Sequence, residues 1–272
     1  SGVSFDANLA MLDALVREAA AAGADYIQTP EMTGLVQQNR RGFFETVVDE
    51  AQDPVLTMAS QLARDLKIHL HIGSTPLRLS ADKAANRAVV FGPTGARLAS
   101  YDKLHMFDVD LDNGESWRES AVYQPGQSAV TVDMLDTRFG LGICYDCRFP
   151  ALWNRYAQAG VAVLTSPSCF TRQTGEAHWH VMMRARAIET GSFMISAAQG
   201  GAMEDGRETY GHSIIIDPWG RVLAEVNGDE PGFAMATIDP AQSAVARGKI
   251  PNLCNERAFD LKMDNAGLAA AS

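Results

Sequence analysis

The feature that most limits the folds open to this chain is the regular alternation of helix-patterned and strand-patterned segments. Residues 7–22 set Leu9, Leu12, Leu15 and Val16 on one stripe, with Asp6 as a cap and Gly23 as a stop, which predicts an amphipathic helix. It feeds the extended run Tyr26-Ile-Gln-Thr29, which ends at Pro30-Glu31. A second helix over about 54–66 leads to the strand IHLHIGS (68–74), and ANRAVVFGPTGARLASYDK reads as a hairpin about Gly92-Pro-Thr-Gly95. Residues 105–127 are irregular and polar, and a loop of that length inside a compact domain is usually functional. Strands at 129–134 and 138–143 follow, and the second runs straight into Cys144. The order then repeats: helix 150–159, strand 161–166, helix 176–190 and strand 193–198. A last hairpin turns at Asp217-Pro-Trp-Gly220, and a strand near 232–238 completes the core. Alternation of this kind predicts an α/β fold, and the hairpins make the sheet mixed rather than purely parallel.

Composition narrows the function classes. With a formal net charge of −10 over 272 residues, the chain lacks the clustered Lys and Arg that a nucleic-acid or anionic-membrane surface needs, so a small-molecule partner is expected. No apolar run approaches a membrane span, and SGVSFDANLA is unlike a secretory leader, so the expected location is cytoplasmic. No linker or repeat divides residues 1–272, which reads as one domain with a tail from about 255 to 272.

Four cysteines, at 144, 147, 169 and 254, are too few for a disulfide framework in a chain this long, so their chemistry is that of thiols. Cys144 and Cys147 stand in C-x-x-C spacing within GICYDCRFP. A zinc ribbon needs a second Cys/His pair, and none is present; a dithiol redox pair remains an alternative. Taken alone, Cys144 reads as a small buried hydrophobe, as most cysteines are. Yet FGLGIC ends in a sharp turn before the Pro150 helix, and a thiol at such a corner is exposed beside backbone N–H groups able to hold an oxyanion. A thiol nucleophile also needs a base and a charge donor. Glu31 follows the strand YIQT, and Lys103 ends the strand RLASYD. Carboxylate, ammonium and thiol therefore all sit at C-terminal strand ends, the edge at which α/β sheets place ligands. Each separately has a plainer reading, as a helix-start residue or a solvated charge; their joint placement favours a site.

TPEM around Glu31, YDKLHMFDVD around Lys103, GICYDCRFP around Cys144, and the later TGEAHWHVMMRARAIET and YGHSIIIDPWG together resemble the nitrilase, or carbon–nitrogen hydrolase, superfamily from about residue 3 to 240. The resemblance implies a nitrilase-like αββα four-layer sandwich of two mixed sheets. It also implies a catalytic triad of Glu31 as base, Lys103 as oxyanion stabiliser and Cys144 as nucleophile, with the Tyr145 N–H as a second oxyanion donor and Glu119 positioning the substrate. No metal or cofactor is expected. Within the superfamily the wording is most similar to the deaminated glutathione amidases, with the ω-amidases close behind. N-carbamoyl-amine hydrolases and an inactive scaffold member are further alternatives. The resemblance implies a homodimer through the helix after Cys144 and the long helix 176–190. It also implies an initial strand of the type V-A-x-I-Q ahead of SGVSFDANL, which the given sequence does not contain.

Of the remaining residues, Phe170, Thr171 and Arg172 lie in a loop after a strand and face the expected pocket. Arg172 is the candidate for a substrate carboxylate, with Arg148 as its rival. His178 and His180, two apart on a helix, point to different faces and cannot share an ion. His69 and His71 share a strand face and read as surface or core-edge residues. Arg184 and Arg186 are expected to pair with carboxylates such as Glu189 or Glu176.

Overall fold

The computed structural model describes residues 1–112, 114–226 and 230–262. The first half of the chain contains α1 (Phe5–Ala21), β1 (Tyr26–Gln28), α2 (Arg40–Thr46), α3 (Pro54–Leu66), β2 (His69–Arg78), β3 (Ala84–Phe91) and β4 (Arg97–Asp102). Its strands form a four-stranded sheet in the order β1-β2-β3-β4, parallel between β1 and β2 and antiparallel elsewhere. A small hairpin of β5 (Asp108–Asp110) and β6 (Ser116–Arg118) follows.

The second half contains β7 (Val130–Met134), β8 (Thr137–Leu141), α4 (Pro150–Gln158), β9 (Val163–Thr165), α5 (Arg172–Thr190) and β10 (Phe193–Ser196). It continues through a β11 (Gly200–Ala202) and β12 (Glu208–Tyr210) hairpin to β13 (Ile214–Ile216), β14 (Val222–Glu225), α6 (Ala241–Lys249) and α7 (Asn252–Asn255). The six-stranded sheet runs β14-β13-β10-β9-β8-β7, parallel at β8–β9 and β9–β10 and antiparallel at its edges.

Side-chain alternation along β3 explains the layering. Val89 and Phe91 pack with Leu12 and Val16 of α1 and with Val55, Ala59 and Leu62 of α3. Ala88 and Val90, pointing the other way, pack with Phe139, Leu141, Val163 and Leu164 of the second sheet. That sheet's outer face is covered by Trp153 of α4 and by Trp179 and Met183 of α5. The result is the expected αββα sandwich. Among the described residues no helix is long and apolar enough to cross a membrane.

The structure corrects several expectations. Residues 232–238 form no strand, because among the described residues no neighbouring backbone pairs with them to build a ladder. They line a groove of about 710 Å3 against α1 and the edge strand β1, whose one partner in its sheet is β2. Helix α5 begins at Arg172 rather than 176, because Thr171 caps it by accepting from the Thr174 N–H. The supposedly irregular 105–127 segment carries β5, β6 and a helical turn at Glu119–Ala121. Helix α2 escaped prediction because its seven residues are too few to show a period. His71 is fully buried between the sheets, where its Nδ1 meets the Tyr26 hydroxyl at 2.8 Å, and burial pulls its pKa down to about 3. His69, half-buried, matches the edge position expected of it. Arg186 pairs with Glu189 as anticipated, whereas Arg184 donates to the Gly220 carbonyl instead of to a carboxylate. The tail expected from 255 lies outside the described residues from 263 onward.

Asp53 shows how one residue ties two layers. Its carboxylate caps α3 by accepting from the Leu56 N–H at 2.8 Å and also accepts from the Thr75 hydroxyl of β2 at 3.3 Å. The side chain is fully buried, and burial pushes its pKa up to about 6 despite those hydrogen bonds. A carboxyl raised in the folded state contributes stability that is complete below the unfolded value near 3.8 and is lost as pH rises through about 6. Asn keeps the cap but carries no charge. Asp53→Asn is therefore expected to gain stability relative to wild type between pH 4 and pH 7, by an amount on the order of 2 kcal/mol, as read by urea denaturation at the two pH values.

Candidate active site

Three chain segments converge at one edge of the sandwich. Glu31 stands just beyond β1, on a loop seated against β2. There the Met32 N–H donates to the Ser74 hydroxyl, the Thr33 N–H to the Ser74 carbonyl, and the Gly73 N–H to the Thr29 hydroxyl. Gly73 is obligatory in this seat, because a Cβ there would lie 2.0 Å from the Thr29 carbonyl oxygen and 2.6 Å from that of Pro30. Gln199, from beyond β10, donates to the Glu31 carbonyl at 3.0 Å and pins the loop from the second sheet.

Lys103 is the residue after β4. Its ammonium donates to Glu31 Oε1 at 2.8 Å and to both oxygens of Glu119 at 2.9 Å. Glu31 and Lys103 are only 3% and 2% exposed, so neither is the solvated charge that its separate reading allowed. Burial alone would pull the Lys103 ammonium down, but Glu119 and Glu31 outweigh it and hold its pKa well above the ordinary lysine value. Glu119 is fixed in turn by the Phe107 N–H, which donates to its Oε2 at 2.7 Å. Burial pushes the Glu119 carboxyl up, with Lys103 opposing.

Cys144 follows β8 and starts a single helical turn, Cys144–Arg148, with φ at +47°, a left-handed conformation that non-glycine residues adopt at a cost of about 1–3 kcal/mol. Its N–H donates to the Pro167 carbonyl at 2.9 Å. The N–H of Tyr145 lies in the first turn and has no preceding helical carbonyl to bond, so it is available to a ligand. Burial first, and the nearby Glu31 charge second, push the Cys144 thiol well above its ordinary value, with Lys103 opposing. The resting group is therefore a thiol that needs a base.

Asp146 holds the corner together. Its buried carboxylate accepts from the Ile143 N–H (2.9 Å), the His105 N–H (3.0 Å) and the Tyr101 hydroxyl (2.7 Å). The Cys144 turn is thereby tied to both sides of Lys103. Cys147 is fully buried in the core with Trp153, and burial pushes its thiol up to about 12. It is a packing residue.

Glu31, Lys103, Glu119, Cys144, Tyr145, Arg148, Phe170, Thr171 and Arg172 all line one cavity of about 1000 Å3. The two candidate cations differ. Arg172 is the first residue of α5 and pairs with Glu208 at 3.4 Å. Arg148 lies over the Tyr145 and Phe170 rings at 5.9 and 5.6 Å and contacts His178 Nδ1 at 3.2 Å. Arg207 also lines the cavity, over the Trp117 ring and paired with Asp205 at 2.7 Å.

Sequence reading missed Asn86, Asp146 and Arg207. Asn86 Nδ2 donates to Glu31 Oε1 at 2.8 Å and to Glu119 Oε1 at 3.2 Å. The available signal was a polar residue inside the otherwise apolar AANRAVVF strand, where a buried amide needs partners.

The family model for carbon-nitrogen hydrolases matches residues 3–247. The chain belongs to the carbon-nitrogen hydrolase family. It is a hydrolase of carbon–nitrogen bonds other than peptide bonds. It is 36% identical to a deaminated glutathione amidase of Synechocystis over 251 residues, covering 90% of this chain and 91% of that one. It is 35% identical to the omega-amidase NIT2 of Mus musculus over 251 residues, covering 92% and 90%. Among solved structures, the C. elegans NitFhit protein superposes with a TM-score of 0.87 at 30% identity; the match covers 94% of this chain and 63% of that longer one. Saccharomyces cerevisiae Nit3, a member of branch 10 of the nitrilase superfamily, superposes with a TM-score of 0.81 at 28% identity, covering 92% and 91%.

Asn86 gives a direct test of the charge cluster. Asn86→Ala is expected to lower hydrolytic kcat/KM about 10- to 100-fold, the equivalent of the roughly 1.5–3 kcal/mol carried by hydrogen bonds to charged groups. Steady-state kinetics, with circular dichroism to verify the fold, checks this; an unchanged kcat/KM in a folded variant would contradict it.

Proposed function

We propose that this carbon-nitrogen hydrolase is a thiol amidase that releases ammonia from the primary amide of a small carboxylated substrate. The observation that carries the reading is the buried Lys103 ammonium, clasped by Glu31 and Glu119 in the same cavity as the left-handed Cys144. Glu31 takes the Cys144 proton, and the sulfur attacks the amide carbon. Lys103 and the Tyr145 N–H hold the tetrahedral oxyanion, where preorganised donors act strongly in a water-poor site. Collapse breaks the C–N bond, Glu31 returns its proton to the departing ammonia, and a thioester remains. Water, deprotonated by Glu31, attacks the thioester to release the carboxylate, and Cys144 is reprotonated. Glu119 orients the substrate and keeps Lys103 charged throughout.

The substrate proposed is deaminated glutathione. Two observations support it over the five-carbon α-keto acid amide of the ω-amidases: the roomy cavity of about 1000 Å3, and Arg148, which among the described residues forms no ion pair and is the best-placed anchor for a substrate carboxylate. Relatives bearing the two names are almost equally similar, so the preference rests on the size of the cavity and on Arg148. We further propose a cytoplasmic homodimer, for which the exposed Val181 and Ile188 on α5 and Trp219 beside it supply an apolar surface.

Three measurements test the reading. Cys144→Ser should abolish ammonia release while Cys147→Ser retains most of it; equal loss in both would favour a dithiol instead. Ammonia release from deaminated glutathione, α-ketoglutaramate and an N-carbamoyl amine should be fastest with the first. Arg148→Met should raise KM for that substrate about tenfold or more and leave kcat within a few-fold, the pattern of lost uniform binding.

A further inference from the structure

Outside the cavity, a second set of chemistry-bearing side chains converges where α5 crosses the β13–β14 hairpin. His180 Nε2 lies 2.9 Å from Glu225 Oε1, and His212 Nδ1 lies 2.6 Å from the same oxygen. The three ligand atoms all fall within 4.8 Å of one another, and among the described residues this is the one trio of His, Cys, Asp or Glu so arranged. His180 comes from the middle of α5, Glu225 from the end of β14, and His212 from the turn entering β13. As the sequence reading of two residues on different helix faces requires, His180 does not share this site with His178, which instead meets Arg148; its neighbours are His212 and Glu225, remote in sequence.

Both imidazoles are held in place. The buried Trp179 Nε1 donates to the His212 carbonyl at 2.8 Å, which fixes a backbone whose φ of +61° is uncommon for a non-glycine residue. The His212 ring stacks on Tyr210 at 4.3 Å, and the His180 ring meets the same tyrosine edge-on at 6.0 Å. Two ring nitrogens aimed at one carboxylate oxygen form the arrangement that remains when protons stand in for a cation shared by three donors. A tetrahedral ion with bonds of about 2.0–2.2 Å sets its donors about 3.4 Å apart. The two shorter separations therefore need to open by less than about 1 Å. Side-chain exposures of 35%, 23% and 21% for His180, His212 and Glu225 leave room for that movement and for a water as fourth ligand.

We propose that His180, His212 and Glu225 bind a divalent first-row transition cation, with Zn2+ the best match, which clamps α5 to the β13–β14 hairpin. Two imidazoles and one carboxylate suit a borderline ion and do not suit Mg2+ or Ca2+, which prefer all-oxygen shells. The N-terminal end of α5 lines the catalytic cavity through Thr174 and Glu176, one turn before His180, so the ion stiffens that wall and takes no part in the hydrolysis. The proposal is independent of the reaction proposed above.

The test uses the full chain, free of any polyhistidine tag and treated with chelator, titrated with Zn2+ by calorimetry and with Co2+ by visible absorption. One ion per chain is expected, with the intense visible bands of low-coordinate Co2+. A rise in Tm of roughly 5–10 °C is expected at about a hundredfold excess of Zn2+ over its Kd. His180→Gln, on a helix surface, and His212→Gln should each weaken binding at least about tenfold, whereas His178→Gln and Cys144→Ser should leave it unchanged. Should His212→Gln fail to fold by circular dichroism, His180→Gln and Glu225→Gln decide the matter. Absence of stoichiometric binding to the wild type, or binding that survives His180→Gln and Glu225→Gln, overturns the proposal. So does binding lost in Cys144→Ser, which would place the ion at the active-site thiol.

Discussion

The buried ammonium of Lys103 is the interaction around which the site is built. A lone cation at 2% exposure would cost several kcal/mol in lost hydration, and two carboxylates at 2.8–2.9 Å offset that cost. One of them, Glu31, requires the loop after β1 to be seated on Gly73. The other, Glu119, requires the 105–127 segment to fold back on itself, which it does through the Phe107 N–H. Three separate pieces of chain are thereby committed to one geometry. The Asn86 amide, donating to both Glu31 and Glu119, holds the two carboxyl groups about the ammonium.

That cluster belongs to the first sheet, whereas Cys144 follows a strand of the second. Asp146 joins them, because its carboxylate accepts from Tyr101 on β4, from the backbone beyond Lys103 and from the backbone before Cys144. The strain of the left-handed Cys144 is supported by this network and by its N–H bond to Pro167. Burial and the Glu31 charge hold the thiol protonated, and the Glu31 carboxylate lines the same cavity.

Legibility in the sequence differs by residue, for physical reasons. Glu31, Lys103 and Cys144 each follow a run whose pattern marks a strand, and the ends of strands in α/β sheets gather ligands, so their association is legible from local pattern alone. Glu119 sits in a segment with no period, and only family resemblance singles it out. Asn86 and Asp146 are invisible as functional residues because a buried polar side chain shows its purpose only through its partners, which lie 55 and 45 residues away at Glu31 and Tyr101. The choice between Arg172 and Arg148 turns on Glu208, which pairs with the former from another hairpin. The strand expected at 232–238 fails for the complementary reason: a β pattern is satisfied only when a neighbouring backbone offers its ladder.

By itself, then, the sequence determined the helix–strand alternation, the mixed sheets and the placement of carboxylate, ammonium and thiol at strand ends, because each of these is a matter of local periodicity and turn chemistry. Tertiary structure alone decided that two carboxylates share one ammonium, that Cys144 is strained and Cys147 is inert packing, and that His180 meets His212 and Glu225. Those outcomes depend on burial and on distances between residues remote in the chain, and neither quantity exists until the two sheets have packed.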